Sequence, residues 1–261
     1  MPATTANDAL GDGPRIRKIG IGTVTGALRA GWADFLARPS HYVFLFIVYP
    51  VIGVVLSFVA FNYNLMPLVF PLIAGFALVG PVTAVGVFEL SRRREAGEDP
   101  PLSAMTSVLH GPSTAGIAQV SLGLFGLFVV WLICAQQIVF ATIGTETPAG
   151  LGDFIGAVAT TEEGRAMFLL GNGVGLIFAI VALAVSVVSL PMLVDGETSA
   201  LRAVWTSLRA VAANPVPMAA WGVAVAAILA VAMLPAFVGL IVALPWLGHA
   251  TWHLYRGVVQ R

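Results

Sequence analysis

The feature that most constrains this chain is a series of long apolar runs. A helix needs about 20 apolar residues to cross about 30 Å of hydrocarbon. Four runs reach that length, and a fifth, with Pro235 inside it, is long enough for two helices joined by a turn. The chain is therefore predicted to cross a membrane six times. The predicted spans are 41–61, 65–90, 115–140, 166–194, 218–234 and 236–255.

Composition excludes a water-soluble globular protein. Hydrophobic residues make up 58% of the chain and charged residues 10%, with a mean hydropathy of +0.93. Too little polar surface is left to cover a soluble domain. The formal net charge of zero gives no indication of nucleic-acid binding. Residues 1–14 lack the apolar segment of a signal peptide and are predicted to be a disordered tail before a single six-span domain over 15–261.

Positive charge is distributed unevenly between the two sides of this arrangement. Twelve of the thirteen Lys and Arg residues fall on one side, and Arg165 is the one on the other. Cytoplasmic loops of membrane proteins carry the excess of Lys and Arg. We therefore expect both termini to be cytoplasmic.

A short amphipathic pattern precedes each hydrophobic hairpin. In the segment 198–217, apolar residues recur at helical spacing on one face until a proline-containing stop. The six residues from Ala27 match the six from Ala200 in five positions, and 102–109 is a weaker copy. We interpret these as three degenerate units, each an amphipathic surface helix plus a transmembrane hairpin, with arginines facing anionic headgroups on the cytoplasmic side. The predicted membrane-surface residues are Arg29, Trp32, Arg202 and Trp205.

Small and amide residues within the spans indicate helix packing. Gly171 and Gly175 form a small-xxx-small pair that would let a second helix approach, and Asn172 could hydrogen-bond across that contact. Three glutamines near or within the spans could either line a path or join helices. These glutamines are Gln119, Gln136 and Gln137.

The sequence gives only weak indications of a metal-binding or catalytic site. His249 and His253 lie one helical turn apart and are weak candidates for metal ligands, but the sequence supplies no further ligand. We therefore assign no metal, cofactor or catalytic residue. Glu89 precedes three consecutive arginines and is predicted to be an interfacial carboxylate paired with a cation.

Five segments of the chain together form a recognisable pattern: 29–35, 39–41, 49–50, 88–95 and 248–256. They resemble a family of bacterial integral membrane proteins of unknown function, the domain-of-unknown-function family 2189. The resemblance extends from about Arg17 to the end, and its most specific part is 248–256. It implies a multi-pass protein of the bacterial inner membrane and brings no catalytic residues.

The sequence thus predicts an all-α fold, a polytopic membrane helical bundle, and leaves two functions open. The first is a non-enzymatic accessory, assembly or scaffold subunit of a membrane complex, with the lipid bilayer and a membrane protein as partners. The alternative is a permease or facilitator for a small apolar or amphipathic solute, because internal repeats and proline-broken spans are common in transporters. Ion-coupled transport is disfavoured, since no charged residue lies near the middle of a predicted span.

Overall fold

The computed structural model describes residues 14–39, 46–62, 71, 80–144 and 151–260. Apart from one two-stranded ladder, the regular structure of these residues is helical, which confirms the expected all-α class. In chain order the elements are β1 (Arg15–Ile16), α1 (Ile21–Ala37), α2 (Val48–Asn62), α3 (Val85–Glu95), a 3₁₀ helix (Leu102–Leu109), α4 (Thr114–Thr142), α5 (Leu151–Thr160), α6 (Glu162–Ser186), α7 (Ser189–Val194), α8 (Ala200–Ala213), α9 (Pro215–Met233), α10 (Leu240–Val258) and β2 (Val259–Gln260).

Three helices in this part of the chain are long and apolar enough to cross a membrane. They are Thr114–Thr142, Glu162–Val194, which combines α6 with α7, and Pro215–Met233. The predicted spans 41–61 and 65–90 lie partly outside the described residues. α10 has 19 residues, like α9, but it is not among the three, because its histidines and Arg256 make it more polar.

α10 lies at the centre of the bundle. Bulky side chains along it are fully buried, among them Leu254, Trp252 and Tyr255. α1 and α3 approach it closely at small residues: a Cβ atom on Gly31 would lie 2.4 Å from the Ala250 backbone nitrogen. A Cβ atom on Gly248 would likewise lie 2.9 Å from Val87. Glycine is therefore required at both crossings, because any larger side chain would separate the helices.

The last two helices form a hairpin whose ends meet β1. β1 pairs antiparallel with β2, and the Arg17 N–H donates to the Val258 carbonyl at 2.8 Å. Asn214, just before α9, accepts from the Ile19 N–H at 2.8 Å and donates to the Arg17 carbonyl at 3.0 Å. The start of α9 and the end of α10 therefore lie together, and we call this end of the bundle the polar end.

α4 and α6–α7 form a second hairpin with its ends at the polar end. A Cβ atom on Gly116, near the start of α4, would lie 2.8 Å from the Leu193 side chain. Just after α7, the Asp195 carboxylate accepts a 2.8 Å hydrogen bond from the Tyr255 hydroxyl of α10. The two hairpins are thus joined at this end.

α8 packs through small residues and leaves its large apolar side chains outside. Ala203, Ser207 and Ala210 are buried against the bundle. Leu201 is 61% exposed and Trp205 is 47% exposed, on the opposite side of the helix. Ser199 caps the helix by accepting from the Arg202 N–H at 3.3 Å. The helix therefore presents an apolar face away from the protein.

Candidate functional site

Three helices that are far apart in sequence bring their polar side chains to one place near the polar end. α1 contributes Asp34, α3 contributes Ser91 and Arg94, and α10 contributes His249 and His253. We call these five residues the Asp34 cluster. Each lies within one of the three longest segments that carry the family resemblance, so the structure brings those segments together.

Asp34 is the centre of this cluster. His253 donates from Nε2 to Asp34 Oδ2 at 2.9 Å, and His249 Nδ1 lies 3.6 Å from the same oxygen. Arg94 Nη1 donates to the Asp34 backbone carbonyl and lies 4.0 Å from Oδ1 of the carboxylate. The carboxylate thus holds α1 against both α3 and α10.

The surroundings of Asp34 decide its charge. Burial alone would raise the pKa of this carboxyl. The hydrogen bond from His253 and the neighbouring cationic groups outweigh burial and lower the pKa below its ordinary value of 3.8. Asp34 is therefore ionised at neutral pH and acts as an acceptor only.

Ser91 and His249 form the buried side of the cluster. Ser91 Oγ lies 2.6 Å from His249 Nδ1 and 3.5 Å from Asp34 Oδ2. Both side chains are almost completely buried, at 1% and 0% exposure. A serine, a histidine and an aspartate are therefore in contact although they are far apart in sequence.

This trio does not have the geometry of a nucleophilic triad. In a triad the serine and the carboxylate use different nitrogens of the imidazole. Here Ser91 and Asp34 both approach Nδ1 of His249. A substrate could not reach the buried serine hydroxyl without moving α3 away from α10. The arrangement therefore supports helix packing rather than acyl transfer.

A second group of charges is centred on Glu89 of α3. Its carboxylate accepts from Arg92 at 2.7 and 2.8 Å and from Arg93 at 2.6 Å, and Ser107 donates to it at 3.3 Å. This is the cation pairing predicted for Glu89. Because Ser107 belongs to the 3₁₀ helix, the pairing also holds that helix on α3.

A third group fixes the last turns of α10. Trp252 donates from Nε1 to Glu95 at 3.0 Å, and Arg256 donates to the same carboxylate at 2.9 Å. Arg256 also lies 3.5 Å from Asp195. Every carboxylate in these three groups has a cation or a hydrogen-bond donor of the chain beside it.

Comparison with known proteins gives one match. A family model described as Predicted integral membrane protein (DUF2189) matches residues 69–195. Over these residues, slightly less than half of the chain, the protein is similar to that family. The match includes Glu89, Ser91 and Asp195, but it ends before α10 and begins after α1. No curated protein and no solved structure matches the chain.

In this structure the two histidines are partners of a carboxylate and a hydroxyl. Within the described residues, no group of three or more His, Cys, Asp or Glu is arranged to hold a metal ion. Sequence reasoning identified the two histidines but missed Asp34 and Ser91 as their partners. The signal available was that all four lie in segments that resemble the family.

The predicted membrane-surface residues differ in their surroundings. Arg29 and Trp205 are exposed, and Arg202 lies 3.4 Å from Glu197. Trp32 is 38% exposed and lies edge-on to Trp246, with ring centroids 5.1 Å apart. Trp32 therefore borders a neighbouring helix, whereas Trp205 belongs to a free apolar face.

The predicted packing residues of α6 also differ from one another. A Cβ atom on Gly175 would lie 3.0 Å from the Trp131 ring of α4, so this glycine meets another helix. A Cβ atom on Gly171 would meet nothing within 4 Å. Asn172 is exposed and donates to the Phe168 carbonyl of its own helix at 2.8 Å. The first part of this segment therefore faces outward.

Proposed function

We propose that this integral membrane protein is a non-enzymatic accessory, assembly or scaffold subunit of a membrane complex. One observation carries the proposal: amide side chains of the membrane helices lie on the outer surface of the bundle. Gln119, Gln136, Gln137 and Asn172 are all exposed. Amides that line a path for solute would instead face the interior.

Gln136 of α4 and Asn172 of α6 lie close to one depth in the membrane. The two helices run antiparallel, with Trp131 against Gly175. Gln136 follows Trp131 by five residues and Asn172 precedes Gly175 by three, so their depths agree to within about one helical turn. Lipid offers an amide no hydrogen-bond partners. Asn172 satisfies one N–H with the Phe168 carbonyl of its own helix, and a polar side chain on a second membrane helix would supply the remaining partners. The expected partner is therefore a membrane protein with a polar residue in a span.

Extraction in mild detergent tests this proposal. We expect the protein to co-purify with a stoichiometric membrane-protein partner. Changing Gln136 and Asn172 to leucine should release that partner without lowering the melting temperature of the protein. Gln119→Leu is the matched control, because it makes the same change on an exposed amide near the other end of α4, and it should retain the partner. A lone protein that moves solute across proteoliposomes would favour the permease instead.

The topology we propose has both termini in the cytoplasm of a bacterium. The six predicted membrane helices form three hairpins that begin and end on the cytoplasmic side of the inner membrane, each preceded by one unit of the repeat: α1, the 3₁₀ helix or α8. Pairing of β1 with β2 supports this, because it holds both ends of the chain on one side. The apolar face of α8 supports contact with the membrane surface through Trp205, with Arg202 and Arg29 near headgroups.

Reporter fusions test the topology. Fusions after Asn64, Thr147 and Pro235 should report the periplasm, and fusions after Gly97, Thr198 and Arg261 the cytoplasm. The controls are the same reporters on a protein of known orientation. A cytoplasmic signal after Thr147 would contradict the proposal.

A further inference from the structure

An apolar groove opens on the outer surface between α1, α9 and α10. Its volume is about 390 Å³, which falls within the roughly 300–1,000 Å³ of ligand pockets. Apolar side chains line it throughout. Its lining includes Trp32, Ala227, Val231, Gly239, Val242 and Trp246.

We propose that this groove binds the acyl chain of a phospholipid from the leaflet at the polar end, and that Arg29 contacts the lipid phosphate. The proposal requires only that the protein is embedded in a membrane, and it is independent of the accessory role. Two features of the groove support the proposal: its depth in the bilayer and the charge at its mouth.

Exposed charges mark the membrane boundary beside the groove. Arg38, just after α1, forms an ion pair with Asp99, whose side chain is 73% exposed. Exposed ion pairs are excluded from hydrocarbon. Asp34 lies one turn before Arg38, so the Asp34 cluster lies at or just outside the boundary. His249 of that cluster therefore gives the depth at which α10 enters the bilayer.

Below this boundary α10 extends through one leaflet of the bilayer. From His249 to Leu240, where α10 begins, nine residues span about 14 Å, roughly half of the 30 Å hydrocarbon core. The turn that follows is apolar, and Leu234 is 81% exposed. In this turn Phe237 lies against Gly53, nine residues before the described end of α2. The groove beside this hairpin thus lies at the depth of acyl chains in one leaflet.

The mouth of the groove carries a free cation. α1 runs antiparallel to α10, with Thr23 near Gly257 and Gly31 near Ala250, so Arg29 is closer to the polar end than Trp32. Arg29 is exposed and pairs with no carboxylate among the described residues. It lies one turn before Trp32 on the same side of α1. A phosphate at Arg29 would therefore have its acyl chain entering the groove past the tryptophans.

The groove walls are fixed before a lipid arrives. Trp246 donates from Nε1 to the Leu28 carbonyl at 2.9 Å. Trp32 packs against both Trp246 and Phe35, with ring centroids 5.1 and 5.3 Å apart. A preformed apolar cleft binds a chain without first ordering its own side chains.

Lipid retention by the full-length protein tests the proposal. The protein is reconstituted with phosphatidylglycerol and phosphatidylcholine of identical chains, extracted in mild detergent, and its retained lipid is counted by native mass spectrometry. We expect one retained phosphatidylglycerol. Ala227→Trp and Val242→Trp fill the groove from opposite walls, and each should reduce retention of both lipids at least tenfold. Arg29→Gln should reduce retention of phosphatidylglycerol alone, about fivefold, because one arginine near the surface contributes about that much.

Two matched variants serve as controls. Val223→Trp adds the same bulk to an exposed position of α9 outside the groove, and Arg209→Gln removes an exposed arginine from α8. Both should retain lipid as the unchanged protein does. Full retention by both filled variants, or equal loss in the controls, would overturn the proposal.

A second measurement needs no filled variant. In Trp205→Phe protein, phosphatidylglycerol brominated at mid-chain should quench tryptophan fluorescence more strongly than the corresponding phosphatidylcholine, since Trp32 and Trp246 line the groove. Equal quenching by the two lipids would contradict the role of Arg29 and overturn the proposal as stated.

Discussion

α1 and α8 share the pattern Ala-Leu-Arg-Ala-x-Trp, and comparing them shows how one residue changes the use of a helix. α1 buries Ala27, Gly31 and Phe35 against α10. α8 has Val204 at the position of Gly31, and it buries the side that includes Ala203 and Ala210 instead. Glycine permits the close approach to Ala250, whereas valine prevents it. The same motif therefore gives a helix inside the bundle in one case and a helix with a free apolar face in the other.

The largest effect is expected from giving α1 the residue of α8. In Gly31→Val the new Cβ atom would lie 2.4 Å from backbone of α10, so the helices must separate. We expect a loss of more than about 3 kcal/mol, and little folded protein after detergent extraction. Thermal melting and gel filtration would measure this. The reciprocal change, Val204→Gly, should cost about 1 kcal/mol, from lower helix propensity and from loss of a partly buried side chain. Similar losses in both variants would break the comparison.

A smaller effect is expected at the next pair of equivalent positions, Asp34 and Ser207. Asp34→Asn removes a charged acceptor that holds three helices, and we expect a loss of about 2–3 kcal/mol. Ser207 accepts from the Val188 N–H at 3.2 Å, and Ser207→Ala should cost about 1 kcal/mol. Melting temperatures at neutral pH would give both values. A greater loss from the serine change would contradict the central role of Asp34.

At low pH the unchanged protein should lose its advantage in thermal stability over the Asp34→Asn variant. The folded-state pKa of Asp34 is lowered, so its contribution to stability is fully present above the unfolded value of about 3.9. That contribution is lost as the pH falls through the folded-state pKa. The difference in melting temperature between the two proteins should therefore be constant from pH 7 to about 4 and decrease as the pH falls further. A difference that begins to decrease well above pH 4 would show that another titrating group, and not the Asp34 carboxylate, is responsible.

Replacing Trp32 of α1 or Trp205 of α8 should show a further difference in stability between the two helices. Trp32 packs on two aromatic rings and is 38% exposed, so Trp32→Ala should cost about 2–3 kcal/mol, less than in a closed core. Trp205 is 47% exposed on the free face of α8, so Trp205→Ala should cost about 1 kcal/mol or less in detergent. The larger effect of Trp205→Ala should be on tryptophan fluorescence, which bromine-labelled headgroup lipids should quench less strongly in this variant. Equal thermal losses would argue against different roles.

The smallest effects on stability are expected from Arg29→Gln and Arg202→Gln. Arg29 has no carboxylate partner among the described residues. The Arg202 side chain is 39% exposed, and its partner Glu197 keeps the N–H groups of the two residues that follow it as donors when the arginine is changed. Surface ion pairs contribute about 0–1 kcal/mol, so melting temperatures should hardly change. Retention on anionic liposomes should fall instead. An arginine change that unfolds the protein as badly as Gly31→Val would refute the surface assignment.

The lengths of the apolar runs and the position of Pro235 made much of the fold predictable. The runs over 115–140 and 166–194 correspond to helices because hydrocarbon requires every backbone group to be paired within the segment. Pro235 indicated the turn between the last two helices, which the structure has between Met233 and Leu240. Length alone could not show that α10 would be the central helix, since that depends on glycines in other segments that meet it.

The candidate site was less predictable for a physical reason. Asp34 and His253 are 219 residues apart, and nothing local in either helix indicates the other. The histidine spacing indicated a shared helix face but not what that face would meet. Likewise, the sequence could not show that Asn172 faces outward while Gly175 meets Trp131, because three residues on a helix already point in different directions.

The ladder between β1 and β2 also orders events during synthesis. Arg15 and Ile16 leave the ribosome before the membrane hairpins of this chain, whereas their partners, Gln260 and Val259, follow those hairpins. The β1 segment must therefore remain unpaired while the hairpins between the two strands are inserted. Once the ladder forms, it closes those hairpins into a loop, so fluorophores attached beside β1 and β2 would come together only after the hairpins have assembled.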